Sequence, residues 1–186
     1  PQVSVSGRLA GEVDPAELVG KTVDIYRSYD GVTFTKVTTA VTTTGGTFSK
    51  KVSVSKKAWF KTKFAGSSVL DPSEYTAVKS CIPYAYLTTP SAPTTAYRYK
   101  AFTVTGYVYP AHTTAPARVY LYYRTSAGDW IYYKYVTAKV VSSTSTCTKF
   151  SASVSLPSRG AWRIQTVHVD GDHTKSSSAY RYLTVN

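Results

Sequence analysis

The sequence predicts an all-β fold made of two tandem copies of one sandwich-type unit, and three observations predict it. First, Thr, Ser, Val and Tyr fill the segments of the 186-residue chain, and these β-branched, hydroxylic and aromatic residues suit a pleated, half-buried surface. No stretch of a dozen residues spaces its apolar side chains at i, i+3, i+4 and i+7, so helix is excluded as a main component. Second, residues 118–136 (RVYLYYRTSAGDWIYYKYV) alternate apolar with polar or aromatic side chains on both sides of a Gly-Asp turn, the pattern of a β-hairpin with one buried face. Third, that hairpin occurs twice. Residues 23–41 (VDIYRSYDGVTFTKVTTAV) place Val23, Ile25, Tyr26 and Phe34 each 96 positions before Val119, Leu121, Tyr122 and Trp130.

The neighbours of each hairpin recur as well. VSVSGRL (3–9) matches FTVTGYVYP (102–110), TFSKKVSV (47–54) matches KFSASVSL (149–156), and AWFKTKFAG (58–66) matches AWRIQTVHVDG (161–171). Two domains of about 80 and 105 residues follow, each large enough for an antiparallel sandwich to bury its own core. The expected boundary lies at 80–83, giving a first domain of 1–80 and a second of 81–186.

In the first copy the strand at 3–9 comes first, with no earlier segment to form an edge strand. The loop 10–20 carries Glu12, Asp14 and Glu17, and the hairpin turns at 28–32 (SYDGV). Phe48, Val52 and Val54 then share one face of a strand. Phe60, Thr62 and Phe64 point inward by the period of two, and 75–80 closes six strands. The second copy adds a strand at 84–88 (YAYLT), joined by a Pro/Ser/Thr loop at 89–96, and becomes a complete seven-strand unit. Its later strands are expected at 97–109, the hairpin, 150–156, 161–169 and 180–185. Its expected core is Phe102, Val104, Val108, Val119, Leu121, Trp130, Phe150, Val154, Leu156, Trp162, Ile164, Leu183 and Val185. Short strands at turn-separated intervals, with one Trp on the hairpin and one on the penultimate strand, argue for immunoglobulin-like sandwiches, the first lacking its initial edge strand.

The order VTGYVYPAH, ARVYLYYR, GDWIYYKYV, TKFSASVSLPSRGAWRIQ and SSSAYRYLTV resembles the immunoglobulin-like repeats of secreted and cell-surface bacterial proteins. VSGRL, GKTVDIYRSYDGVTF and WFKTKFAG of the first copy fit the same pattern. The resemblance covers nearly the whole chain and implies an extracellular setting, secreted or at the cell surface. Its motifs are structural, so it implies fold more firmly than ligand.

The formal charge is +12. Each copy has 11 Lys/Arg, but the first balances them with seven acids and the second with three, so the second is the more basic. The balance favours acidic polymers such as wall teichoic acids or acidic polysaccharides, and anionic lipid surfaces. No Lys/Arg run exceeds two residues and no helix-turn-helix or RNA-binding aromatic motif is present, so nucleic acid is not an expected partner. No run approaches the about 18 apolar residues of a membrane span. The absence of Met and the start at Pro1 suggest a processed chain or a fragment of a longer one.

No catalytic residues, cofactor or metal are expected. His112 lies in PAHTTAP, His168 on a strand and His173 in the tip DGDHT, and none has a recognisable catalytic or zinc-ligand spacing. Asp170, Asp172 and His173 could collect a cation but read first as a polar turn, and Glu12, Asp14 and Glu17 could meet Asp71 and Glu74 as a metal site only if both loops lie at one pole, against the about six to eight oxygens that a closed calcium site wants. The aromatics carry more information. Of 17 Tyr, 14 lie in the second copy, and alternation puts Tyr120 and Tyr122 opposite the core residues Val119 and Leu121. An outward face of Tyr120, Tyr122, Arg124, Tyr132 and Arg163 is expected to stack on sugar rings or grip an anionic glycan, or else to be ordinary cross-strand pairing.

Two functions stand side by side: a non-catalytic structural or adhesive module, acting as semi-rigid spacer or polymerising unit, and a glycan- or anionic-polymer-binding module. The open edge beside 3–9 makes other copies of the chain, or flanking domains, the expected partners through strand pairing. Cys81 and Cys147, the sole cysteines, are expected to form a disulfide at the linker pole of the second domain. Two buried free thiols, or pairing between molecules, are the alternatives.

Overall fold

The computed structural model describes residues 1–75 and 78–186. The expected strand 75–80 therefore lies partly outside the described residues. The chain divides into two compact units, Pro1–Pro83 and Tyr84–Asn186, and both are all-β with antiparallel sheets packed in sandwich fashion.

In the first unit the strands are β1 (Gln2–Arg8), β2 (Thr22–Ser28), β3 (Thr35–Val41), β4 (Thr47–Ser53), β5 (Ala58–Phe64), β6 (Ser73–Glu74) and β7 (Lys79–Cys81). β1 and β4 form one sheet. The other runs β3-β2-β5, and β5 pairs on its far side with both β6 and β7. Between the sheets lie Val23 and Ile25 of β2, Phe48 and Val52 of β4, and Phe60 of β5. A second cluster, Leu9, Leu18 and Phe64, sits under a single 3-10 turn, Pro15–Leu18. Sequence explains that turn: Pro15 supplies the φ of a first helical residue, and the Asp14 carboxylate accepts from the Ala16 N–H at 2.8 Å. The β2–β3 connection is fixed similarly. Asp30 Oδ1 accepts from Ser28 Oγ at 2.6 Å and from the Val32 and Thr33 N–H groups at 2.8 Å, which hold its carboxyl well below the usual carboxylate range.

In the second unit the strands are β8 (Tyr86–Leu87), β9 (Thr95–Ala96), β10 (Phe102–Tyr109), β11 (Arg118–Arg124), β12 (Trp130–Thr137), β13 (Lys139–Ser143), β14 (Thr148–Val154), β15 (Gly160–His168), β16 (Ser176–Ser177) and β17 (Arg181–Val185). One sheet is β13-β14-β10-β8 and the other β12-β11-β15-β17-β9, with β16 also on β15. Val104, Val108 and Phe150 face Val119, Leu121, Trp162 and Ile164 across a single core. The segment 84–96 crosses between the sheets, since β8 pairs with β10 while β9 runs parallel to β17.

The internal repeat survives in detail. The register shifts opposite Ile25/Tyr26 and opposite Leu121/Tyr122, so that the extra residue is Val37 of β3 in one hairpin and Tyr133 of β12 in the other, the same place in both. Gly7 lies opposite Phe48, and Gly106 opposite Phe150. In each pair the Phe ring lies over the glycine, where an added Cβ would stand 2.7 Å from Phe48 Cζ or 2.5 Å from Phe150 Cζ. Gly106→Ala is therefore expected to cost about 1–3 kcal/mol through overpacking of a ring that has nowhere to go, measurable as a lower urea midpoint at unchanged slope.

Three expectations are corrected. The tryptophan match AWFKT to AWRIQ slips by one residue: Ile25 pairs with Thr62 and Leu121 with Ile164, so Phe60, not Trp59, is the counterpart of Trp162. A one-residue slip reverses faces, and Trp59 indeed points outward under the Lys57 ammonium. Trp130, expected in the core, pairs with Arg124 on the outward side of β12. The strand expected at 97–109 begins only at Phe102, because 97–100 turns with Tyr99 at a φ of 59° and Lys100 N–H donating to the Tyr97 carbonyl.

The expected Cys81–Cys147 disulfide is also corrected, since both cysteines are free. Cys81 does not stand in front of the second unit. It ends β7, pairs with Ala58 and packs on the first unit's core, where burial pushes its thiol up. Cys147 closes a turn in the second unit, its N–H donating to Thr144 Oγ1 at 3.1 Å.

Candidate functional site

Alternation along β11, β12, β15 and β17 sends a continuous aromatic array to the outer face of the second unit. Tyr120 stacks on Tyr135 at 5.4 Å between ring centroids and meets Tyr132 at 5.7 Å; Tyr132 meets Tyr122 at 5.9 Å. Tyr122 then packs edge-on against Tyr180 at 6.0 Å, and Trp130 against Tyr182 at 5.7 Å. Spacings of this kind suit tilted and edge-to-face pairs. The centre of the array is Arg163. Its guanidinium carbon lies 4.0 Å from the Tyr180 centroid, 4.7 Å from Trp130 and 5.1 Å from Tyr122, while its Nε is buried with no hydrogen-bond partner. Among the described residues no carboxylate pairs with it. Arg118 extends the pattern over Tyr135 at 5.0 Å. Burial, with Tyr180 adding to it, pushes the Tyr122 hydroxyl up against the opposing charge of Arg163.

Of the five residues expected on this face, Tyr120, Tyr122, Tyr132 and Arg163 come together. Arg124 sits to one side, its Nε donating to the Gly128 carbonyl at 3.1 Å, and lines a shallow depression with Trp130 and Tyr182. The sequence reading missed Trp130, Tyr135, Tyr180 and Tyr182. Tyr182 was within reach, because Leu183 and Val185 are inward and period two puts their neighbours outward.

In the first unit a groove of about 650 Å³ runs between β1 and β7. Its lining includes the apolar Val3, Val5, Val23, Phe48 and Phe60, together with Lys79, Ser80 and Cys81 of β7. β1 pairs with β4 only, among the described residues. The second unit fills the corresponding place itself, with Ala85, Leu87, Ala92 and Ala96 of 84–96 buried in its core.

The three histidines, separated by up to 61 positions, meet at one end of the second unit around Asp170. His168 Nε2 is 2.8 Å, His173 Nδ1 3.0 Å and His112 Nε2 3.3 Å from Asp170 Oδ2. His168 and His173 are buried and His112 nearly so. Against the burial that opposes ionisation, hydrogen bonds from His173 and His168 hold the Asp170 carboxyl well below the usual range. Burial, then the neighbouring His168, depresses the basicity of His112. Three members, His168, Asp170 and His173, lie together at the end of β15 and in the tip after it, and nothing in the sequence signals that the distant His112 joins them. The acidic residues of the first unit do not gather: Asp14 caps its turn, Glu17 pairs with Lys21 at 3.8 Å and Glu74 with Lys61 at 2.8 Å.

No family model matches the chain, and no curated protein matches it in sequence.

Proposed function

We propose that the chain is a non-catalytic, extracellular structural and adhesive module built from two immunoglobulin-like repeats, and that its first repeat accepts a β-strand from a further repeat of the same kind. The observation that carries this reading is the groove between β1 and β7. In the second repeat one segment, 84–96, lays β8 on β10 and β9 on β17; the first repeat has the counterparts of both edges, β1 and β7, and among the described residues no strand lies across them. The chain thus states the chemistry of the occupant: an extended segment with Ala and Leu inward at alternate positions and Tyr outward. Main-chain hydrogen bonds along β1 supply affinity, and the apolar lining supplies specificity through alternate side chains. An open edge over apolar residues is otherwise an aggregation hazard. A synthetic peptide of residues 83–96 titrated onto the chain is expected to bind saturably with one site. A peptide of the same composition with the Ala and Leu positions scrambled is expected to bind at least tenfold more weakly, and equal binding of the two would remove the strand-acceptor reading.

Arg163 favours a second reading, in which the outer face of the second repeat binds an anionic glycan or teichoic-acid-type polymer. A guanidinium held among three rings is preorganised for a phosphate or carboxylate, and the tyrosines around it offer planes to sugar rings. Arg163→Lys loses both the fork and the ring contacts. It is expected to weaken binding of an acidic polysaccharide by about tenfold, the equivalent of about 1–2 kcal/mol of cation–π and bidentate contact. Equal affinity for both proteins, with the same steep salt dependence, would reduce the interaction to net charge.

A further inference from the structure

We propose that His112, His168, Asp170 and His173 form a closed four-ligand site for one divalent late transition metal ion, zinc by preference, which ties two loops to the end of β15 in the second unit. The geometry points to it first through the outer hydrogen bonds. His112 Nδ1 and His168 Nδ1 each lie 2.7 Å from a backbone carbonyl oxygen, those of Pro110 and Pro116. A carbonyl only accepts, so both Nδ1 atoms carry protons, and in the neutral imidazole each Nε2 then offers its lone pair to the centre. This carbonyl-to-imidazole support is the arrangement that orients metal-bound histidines. Asp170 is arranged in the same sense: Oδ1 accepts from the backbone N–H groups of Asp172 at 2.9 Å and His173 at 2.6 Å, leaving Oδ2 for the centre.

In the neutral imidazoles the Nε2 lone pairs of His112 and His168 therefore face the Asp170 carboxylate. His168 Nε2 stands 2.8 Å from Asp170 Oδ2, and His112 Nε2 stands 3.3 Å from the same oxygen and 3.4 Å from His173 Nδ1. Positive charge has to lie among them, either as protons on the imidazoles or as a bound cation, and the clustering of four donor atoms suits the cation. Zinc bonds of about 2.0–2.2 Å at tetrahedral angles separate their donor atoms by about 3.3–3.5 Å, and the four donor atoms here all lie within 4.8 Å of one another. Three imidazoles and one carboxylate are a borderline set that suits zinc, not calcium or magnesium, which prefer all-oxygen shells. The scaffold holds the ligands in place beforehand. His112 is clamped to β14 by Thr148, whose Oγ1 accepts from the His112 N–H at 2.8 Å and donates to its carbonyl at 2.7 Å, and His168 closes the central strand β15. With four protein ligands the ion keeps no open position, so its role is to hold the 110–117 loop and the 170–173 tip onto β15.

The test is titration of the metal-stripped, reduced full chain with zinc sulfate by calorimetry, and with cobalt(II) by visible absorption. One equivalent of zinc per chain is expected, with the ligand-field bands of tetrahedral cobalt and a melting temperature that rises with zinc and falls back with a chelator. His112→Gln and Asp170→Asn, which alter partly exposed ligands, are expected to weaken zinc binding by about 100-fold or more, while Cys81→Ser and Cys147→Ser leave it unchanged. Circular dichroism confirms that each variant is folded. No stoichiometric uptake at micromolar zinc would overturn the proposal and leave a proton-bridged cluster. So would uptake that persists in the folded His112→Gln and Asp170→Asn proteins, or that disappears with the cysteines.

Discussion

Trp162→Ala is expected to destabilise the second unit by about 3–5 kcal/mol, the range for removing a large aromatic from a core that cannot collapse to fill the space. Trp162 is among the largest fully buried side chains. Its ring meets Tyr123 at 5.8 Å and Tyr133 at 5.6 Å, and its indole N–H donates to the Ser158 carbonyl at 3.1 Å. The substitution therefore removes apolar burial, two ring contacts and the partner of a carbonyl together. With two units in one chain a single transition cannot be assumed. Native-state hydrogen exchange at β10, β14 and β15 amides is the appropriate measurement, and loss of protection there should be at least a hundredfold. A change under tenfold would mean that the core closes without this ring.

The second large effect belongs to the first unit. Gly46 adopts a φ of 75° and donates to the Thr43 carbonyl while its own carbonyl accepts from the Leu9 N–H at 2.8 Å. A Cβ at this position collides with the backbone carbonyl of Leu9, which has no rotamer through which to move away. Gly46→Ala adds the left-handed penalty to a backbone overlap and is expected to cost about 2–5 kcal/mol. Gly45→Ala is the control, because Gly45 has a similar φ of 69° but open space around the added atom; it is expected to lose only about 1–2 kcal/mol. Chemical denaturation followed by first-unit amide exchange separates the two, and equal losses would place the whole cost in φ.

The repeat and its strand faces were legible in the sequence because period two survives translation into structure. Val119 and Leu121 are buried where alternation puts them, Tyr120 and Tyr122 are on the other face, and the two Phe-over-Gly pairs were written in the matched strings. What was not legible depended on one-residue registers. The bulge at Tyr133 and the turn at 125–129 leave Trp130 on the outer face, and the shared AW dipeptide invites a slip that the ladder to β2 and β11 overrules. The histidine cluster was illegible for a different reason. His168, Asp170 and His173 share one short stretch, 168–173, but only the return of the chain past β10 brings His112 to it. Charge and composition, finally, carried nothing about the groove between β1 and β7.

The strand-acceptor account is tested most directly by amide hydrogen exchange on β1 with and without the peptide of residues 83–96. Alternate N–H groups along Val3–Arg8 that are not bonded to β4 should exchange rapidly in the chain alone and slow by at least tenfold when the peptide is bound, with smaller protection along Lys79–Cys81. If β1 amides are already protected without the peptide, or remain fast under saturating peptide while protection appears elsewhere, the first repeat does not accept a strand at this edge.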